Sequence, residues 1–136
     1  MARAKEITVT IADRPGALGK CFTALAERGV NVLAVQSYVE EGESLARFVP
    51  DDISKAKAVL GGLGMIFEET EAAVIRVGNR PGELGRAATR LGENKINIDY
   101  TYAGQDPGST QILVVFGVDQ VTKASAVLDE LAAEKP

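Results

Sequence analysis

Two stretches of this chain carry groups able to hold a small polar molecule, and they are near-copies of each other. Asp13-Arg14-Pro15-Gly16-Ala17-Leu18-Gly19 returns as Asn79-Arg80-Pro81-Gly82-Glu83-Leu84-Gly85. Each follows an alternating apolar run and opens a segment with helical spacing. A helix start leaves free N–H groups and a partial positive charge, which suits a carboxylate. Gly16 and Gly82 lack a Cβ, so a ligand can come close to the backbone there. Asn79 offers donors and acceptors, whereas Asp13, when ionised, offers only acceptors and favours an ammonium group. At matching later positions Asn31 and Asn97 add two amides, set between Val30 and Val32 and between Ile96 and Ile98. These groups together complement a zwitterion. A Pro-Gly turn is also an ordinary way to enter a helix, with Pro presetting the first helical φ. Asn31 and Asn97 serve equally well to end a helix or a strand.

Other chemistries are excluded by residue type. The chain has no His, so the commonest general base and transition-metal ligand is missing. Its single Cys, Cys21, can form no internal disulfide and no paired-Cys zinc site. A Ser-His or Cys-His nucleophile is impossible. Cys21 falls on an apolar helix stripe opposite Ala87 in the other copy, which reads as a small buried residue. The run Gly16 to Cys21 hints at a phosphate loop, but that motif needs Gly where Arg14 stands and Ser or Thr where Cys21 stands. Asp51-Asp52 reads as a helix cap rather than a metal site. No catalytic residues, metal or cofactor are expected.

The repeat extends through the elements that must position these turns. At the same offset Thr23, Leu25 and Glu27 meet Thr89, Leu91 and Glu93. Ile7, Val9 and Ile11 alternate with Thr8 and Thr10, the period of a half-buried strand. Leu18, Cys21, Phe22, Leu25 and Ala26 keep helical spacing, and Gly29 is placed to end that helix. Strands follow at 30–39 and 45–49 around a hairpin turn at 40–43. Ile53, Ala56, Val59, Leu60 and Leu63 mark a second helix, and 65–70 a short strand. The second copy repeats the order with strands at 73–77, 96–102 and 112–118 and helices carrying Leu84 to Leu91 and Val121 to Leu131. Asn94 is expected to take the helix-ending position that Gly29 has in the first copy. No strand is expected after the last helix.

The first copy thus reads βαββαβ and the second βαββα. The fold class is α+β: two ferredoxin-like units, each an antiparallel sheet with both helices on one face, the second lacking its last strand. The boundaries expected are 1–70 and 71–136, two units of about 65 residues, near the lower limit for folding alone. In such a sheet the fourth strand flanks the first, so Ala73 to Val77 should present an open edge, partly covered at most by Met65 to Thr70 across the link Glu71-Ala72. Open edges invite pairing with another chain. A homodimer or larger homo-oligomer is therefore expected.

A strand, then (Asp/Asn)-Arg-Pro-Gly-x-Leu-Gly, a helix, and (Val/Ile)-Asn-(Val/Ile) opening the next strand resembles the ACT domain family, over nearly the whole chain as a tandem pair. The family comprises small regulatory modules, often attached to enzymes of amino-acid metabolism, that bind amino acids between two ACT units. The resemblance implies ligand contacts from Asp13, Pro15, Gly16, Ala17, Leu18 and Asn31, and from Asn79, Pro81, Gly82, Glu83, Leu84 and Asn97. In serine-binding members the turn reads His-x-Asn-Arg-Pro-Gly. Here Ile11 and Val77 occupy the His position, and the second copy, with Asn79 and Asn97, fits that pattern better than the first.

The totals agree with such a protein. Apolar residues make up 46% and charged residues 25%, with a net charge of −4, which disfavours nucleic-acid binding. The longest apolar stretch, Ile112 to Val118, is too short to span a membrane, and 1–6 lacks the apolar core of a signal peptide. A cytoplasmic, non-enzymatic sensor of an amino acid or similar small carboxylate is expected, with a metabolic enzyme as a candidate partner. The alternative is a protein–protein interaction or regulatory-subunit module with no ligand of its own.

Overall fold

The computed structural model describes residues 2–134. Its elements in chain order are β1 (Arg3–Ile11), α1 (Ala17–Glu27), β2 (Val32–Glu40), β3 (Glu43–Pro50) and α2 (Ile53–Gly62), then β4 (Phe67–Val77), α3 (Glu83–Glu93), β5 (Ile98–Gln105), β6 (Ile112–Val118) and α4 (Val121–Ala133). They form two compact units. One is Lys5–Thr70; the other joins the described residues of 1–4 to those of 71–136.

In the unit 5–70, β3 lies between β1 and β2 and is antiparallel to both, with Ile7 opposite Phe48, Ile11 opposite Ser44 and Tyr38 opposite Leu45. The β2–β3 turn has Glu41 at φ 50 and Gly42 at φ 80, the two positive φ values of a two-residue hairpin. The Thr10 N–H donates to the Ile66 carbonyl at 2.9 Å, which sets the start of β4 against the free side of β1. Alternation on β1 sends Ile7, Val9 and Ile11 to one face, where they meet Phe48, Cys21 and Leu25 and, from α2, Ala56, Val59 and Leu60. Both helices therefore cover the same face. Asp52 caps α2 by accepting from the Lys55 N–H at 3.0 Å. This is the α+β, ferredoxin-like arrangement with an antiparallel sheet.

The unit containing 71–136 repeats the plan. β6 lies between β4 and β5, antiparallel to both. Its core gathers Ile75, Val77, Leu91, Phe116, Leu128 and Leu131. Gly117 leaves room for the Tyr100 ring, which a Cβ there would meet, and Tyr100 stacks on Tyr102. Arg90 holds Glu134 at 2.8 Å, which ties the end of α4 to α3 and keeps the Glu134 carboxyl below its usual range.

Three expectations need correction. The strands expected at 65–70 and 73–77 are one continuous strand, β4, because Glu71-Ala72 carries neither Gly nor Pro to break it. For the same reason Met65 to Thr70 cannot lie beside Ala73 to Val77. The edge expected to be open there is occupied by the chain's own start: the Val74 N–H donates to the Ala2 carbonyl at 3.0 Å, and Ala2 is buried in this unit's core. Among the described residues no strand follows α4. Finally, Gly29 (φ 77) corresponds to Lys95 (φ 62), not to Asn94. Asn94 sits one residue earlier and closes α3 with its side chain, Nδ2 donating to the Arg90 carbonyl at 2.9 Å.

Candidate functional site

The repeated turn is built the same way in both copies. Arg14-Pro15-Gly16-Ala17 closes with the Ala17 N–H donating to the Arg14 carbonyl at 3.3 Å, and Gly16 lies at φ 87, ψ −12. Arg80-Pro81-Gly82-Glu83 closes from the Glu83 N–H at 3.4 Å, with Gly82 at φ 92, ψ −17. Pro then Gly, with positive φ at the Gly, is the type II pattern. Each Gly is also the residue before the helix, and its carbonyl accepts the first helical bond, from Lys20 at 3.0 Å and from Arg86 at 2.9 Å. Pro15 and Pro81 therefore stand at the corner of the turn, two residues before the helix start and not within it.

Backbone alone explains the two repeated glycines. A Cβ on Gly16 or Gly82 would meet nothing within 4 Å, so the constraint is φ, not space. Gly19 and Gly85 are equally uncrowded but lie inside α1 and α3. Opposite signs are expected. Gly16→Ala and Gly82→Ala should each lose about 1–2 kcal/mol in urea denaturation, from left-handed strain. Gly19→Ala and Gly85→Ala should each gain about 0.5–1 kcal/mol. Equal effects at all four positions would contradict this account.

In the unit 5–70 the turn borders a cleft of about 530 Å³. Asp13, Arg14, Pro15 and Leu18 line one side and Ser37, Tyr38, Val39, Ser44 and Leu45 the other. The Ser44 hydroxyl donates to Asp13 Oδ1 at 3.4 Å. Leu18 is 36% and Val39 67% exposed, so the apolar part of the cleft is open to solvent. The strand residues were not among the expected contacts. They arrive because β1 ends where β3 begins, Ile11 opposite Ser44, so the tip of the β2–β3 hairpin flanks the turn. That hairpin was visible in sequence at 40–43, and its pairing with β1 was the missing step.

The turn in the other copy carries its own anion. Glu83, where the first copy has Ala17, lies in the first turn of α3 and pairs with Arg80 at 3.7 Å and Arg86 at 4.0 Å. No acidic residue occupies the first turn of α1. Of the two repeated turns, the one that leaves its helix start open to a ligand carboxylate is therefore that of α1.

Asp13, Pro15, Gly16, Ala17 and Leu18 come together at one turn, and Asn79, Pro81, Gly82, Glu83 and Leu84 at the other. Asn31 and Asn97 do not join the turns of their own units. Each follows the helix its turn begins, and α1, with 11 residues, separates Asn31 from the turn by about 16 Å. Asn31 exchanges two bonds with Asp51: its N–H donates to Asp51 Oδ1, and its carbonyl accepts from the Asp51 N–H, both at 2.9 Å. Asn97 is exposed just before β5. Cys21 is 2% exposed, and burial pushes its thiol up, which suits a core residue. Among the described residues no cluster of three His, Cys, Asp or Glu could hold a metal, and no helix is long and apolar enough to cross a membrane.

Residues 5–61 match the ACT domain family. No curated protein matches the chain in sequence. Among solved structures, protein BT0572 from Bacteroides thetaiotaomicron is similar at TM-score 0.82 and 22% identity, over 96% of this chain and 89% of that one. The ligand-free regulatory subunit of aspartate kinase from Thermus thermophilus is similar at TM-score 0.63 and 19% identity, over 98% and 93%. The corresponding subunit from Thermus flavus gives TM-score 0.61 and 19% identity, over 98% and 94%. At these identities the likeness is one of fold.

Proposed function

We propose that this chain, which carries an ACT domain at residues 5–61, is a regulatory protein without catalytic activity that binds an amino acid or similar small carboxylate. On this reading the two sequence copies, 1–70 and 71–136, are ACT-like domains in tandem, with the described residues of 1–4 joining the second. The observation that carries the proposal is the cleft beside the first turn, lined by Asp13, Arg14 and, from the first turn of a helix with no side-chain cap, Leu18, together with the apolar Val39 and Leu45. A ligand carboxylate would face the N–H groups of α1 and its ammonium would face Asp13. The turn of Asn79, Pro81, Gly82, Glu83 and Leu84 is a second, weaker contact, since Glu83 competes there with any anion.

Asn31 and Asn97 lie too far from the turns of their own units to touch the same small molecule. A ligand held by turn and asparagine together needs two ACT units, and a homodimer supplies such pairs. Binding would then favour one packing of units over another, which is the physical content of allosteric regulation. The regulated target would be an enzyme of amino-acid metabolism, and the compartment the cytoplasm. The structural likeness to aspartate kinase regulatory subunits supports the regulatory part of this reading.

A thermal-shift screen against the twenty amino acids is the direct test. At least one should raise the melting temperature at millimolar concentration. Asp13→Asn should weaken that ligand about tenfold or more, as expected for loss of a charged hydrogen-bond partner. If none raises it, and no amide from Asp13 to Leu18 or Asn79 to Leu84 moves in an NMR titration, the ligand-free interaction module is the better reading.

A further inference from the structure

The turn at 12–15 separates two clefts, and the second, between α1 and the segment after α2, plays no part in the proposal above. It measures about 590 Å³. Its apolar surface comes from Ile11, Ala17, Ala24, Leu63 and Met65, with the buried Cys21; Arg14 and Lys20 line it as cations, and Thr23 and Glu27 line it further along α1. Leu63 is 53% exposed beside it, so apolar surface lies open next to two cations.

The repeat provides an internal control on those cations. The counterparts of Arg14 and Lys20 are Arg80 and Arg86. Arg80 pairs with Glu83 at 3.7 Å, and Arg86 pairs with Glu83 at 4.0 Å and Glu134 at 3.4 Å. In the first copy Ala17 replaces Glu83. Among the described residues neither Arg14 nor Lys20 has an ion-pair partner. The same scaffold neutralises the two positions from within in one copy and leaves them to an outside anion in the other.

We propose that this second cleft binds a short-chain monocarboxylate, with its carboxylate between Arg14 and Lys20 and its hydrocarbon tail over Ala24, Cys21 and Met65. A cation pair beside an apolar trough selects an anion with an apolar tail. Two cations against the single carboxylate of Glu27 leave the cleft net positive, so it favours an anion over an amine, and acetate has no tail to bury. Each methylene added within the trough should tighten binding about three- to fourfold until the trough is full. Asp13 does not line this cleft but Arg14 borders both, so Lys20 and Ala24, which line only this one, are the positions that test it apart from amino-acid binding at the first.

Met65 is the natural reporter, because the chain has only two methionines and the other is Met1. With [13C-methyl]methionine-labelled full-length protein, sodium hexanoate should shift the Met65 methyl resonance in a saturable way. Acetate and hexylamine should not. Lys20→Gln combined with Arg14→Gln should weaken hexanoate about tenfold or more. Ala24→Leu, which fills the trough while keeping both cations, should also abolish the shift. A Met65 methyl that hexanoate leaves unmoved at 10 mM-scale (about 10 mM) concentration would overturn the proposal, given the weak millimolar affinities at stake. So would a shift of equal size with hexylamine, or one undiminished in both variants.

Discussion

Phe48→Ala is expected to lower the free energy of unfolding by about 3–5 kcal/mol, the range for removing a large aromatic from a packed core. Phe48 is fully buried and touches elements from every layer of its unit: it sits on β3 among Ile7 and Val9 of β1, Leu25 of α1 and Leu60 of α2. It also meets the Phe22 ring edge-on, with centroids 5.5 Å apart and planes at 87°, a contact that adds to simple area burial. The cavity left by the ring would be walled by strand and helix residues held in place by their own ladders, so collapse should be limited. Urea denaturation followed by far-UV circular dichroism measures the loss. A loss below about 1 kcal/mol would mean that the surrounding side chains close the space.

Deletion of residues 1–4 should change the association of the protein as well as its stability. Ala2 and Arg3 supply the second unit with a strand partner that its described residues after α4 do not. The Val74 N–H loses its acceptor on Ala2, and Arg3 loses Thr122 at 2.6 Å and Glu71 at 3.3 Å. Three lost polar contacts, one of them a backbone bond at the core, amount to about 2–3 kcal/mol at the usual net value per bond. The more telling consequence is an exposed strand edge at 72–74, which offers unpaired N–H and C=O groups to other chains. Light scattering should show mass rising with concentration beyond that of the full chain. Hydrogen exchange should show the Val74 amide losing protection. An unchanged mass and an unchanged Val74 exchange rate would mean that the edge is covered in some other way.

The sequence made some of this structure plain and hid the rest for identifiable reasons. The repeated turn was legible because left-handed φ at Gly16 and Gly82 tolerates few residues other than Gly, so the backbone wrote its demand into residue type. The βαββα order was legible from period: alternation at Ile7, Val9 and Ile11, and helical spacing at Cys21 and Leu25. The unbroken β4 could have been read from Glu71-Ala72, which holds no turn residue. Lys95 in a left-handed conformation could not, since a Lys there carries no local signal and is imposed by the helix end around it. The pairing of Ala2 with Val74 was hidden for a different reason: its partners lie in different copies, each near its start, and no local pattern registers a contact of that range. The cleft at the first turn was half legible. Its loop side is in the motif, and its strand side depends on which hairpin ends where β1 ends.

The unbroken strand from Phe67 to Val77 bears on how the two copies could ever be separated. A tandem protein is commonly dissected by expressing its halves or by nicking the linker between them. Here the repeat boundary falls inside a strand, so a protease meets no exposed loop there, and a gene cut at that point takes residues 2–4, which pack with the second unit, away with the first half's start. The duplication is visible in the sequence, and its boundary falls within β4. New termini belong elsewhere, for instance at the Glu41-Gly42 hairpin tip or in the 106–111 loop, where the chain turns in solvent.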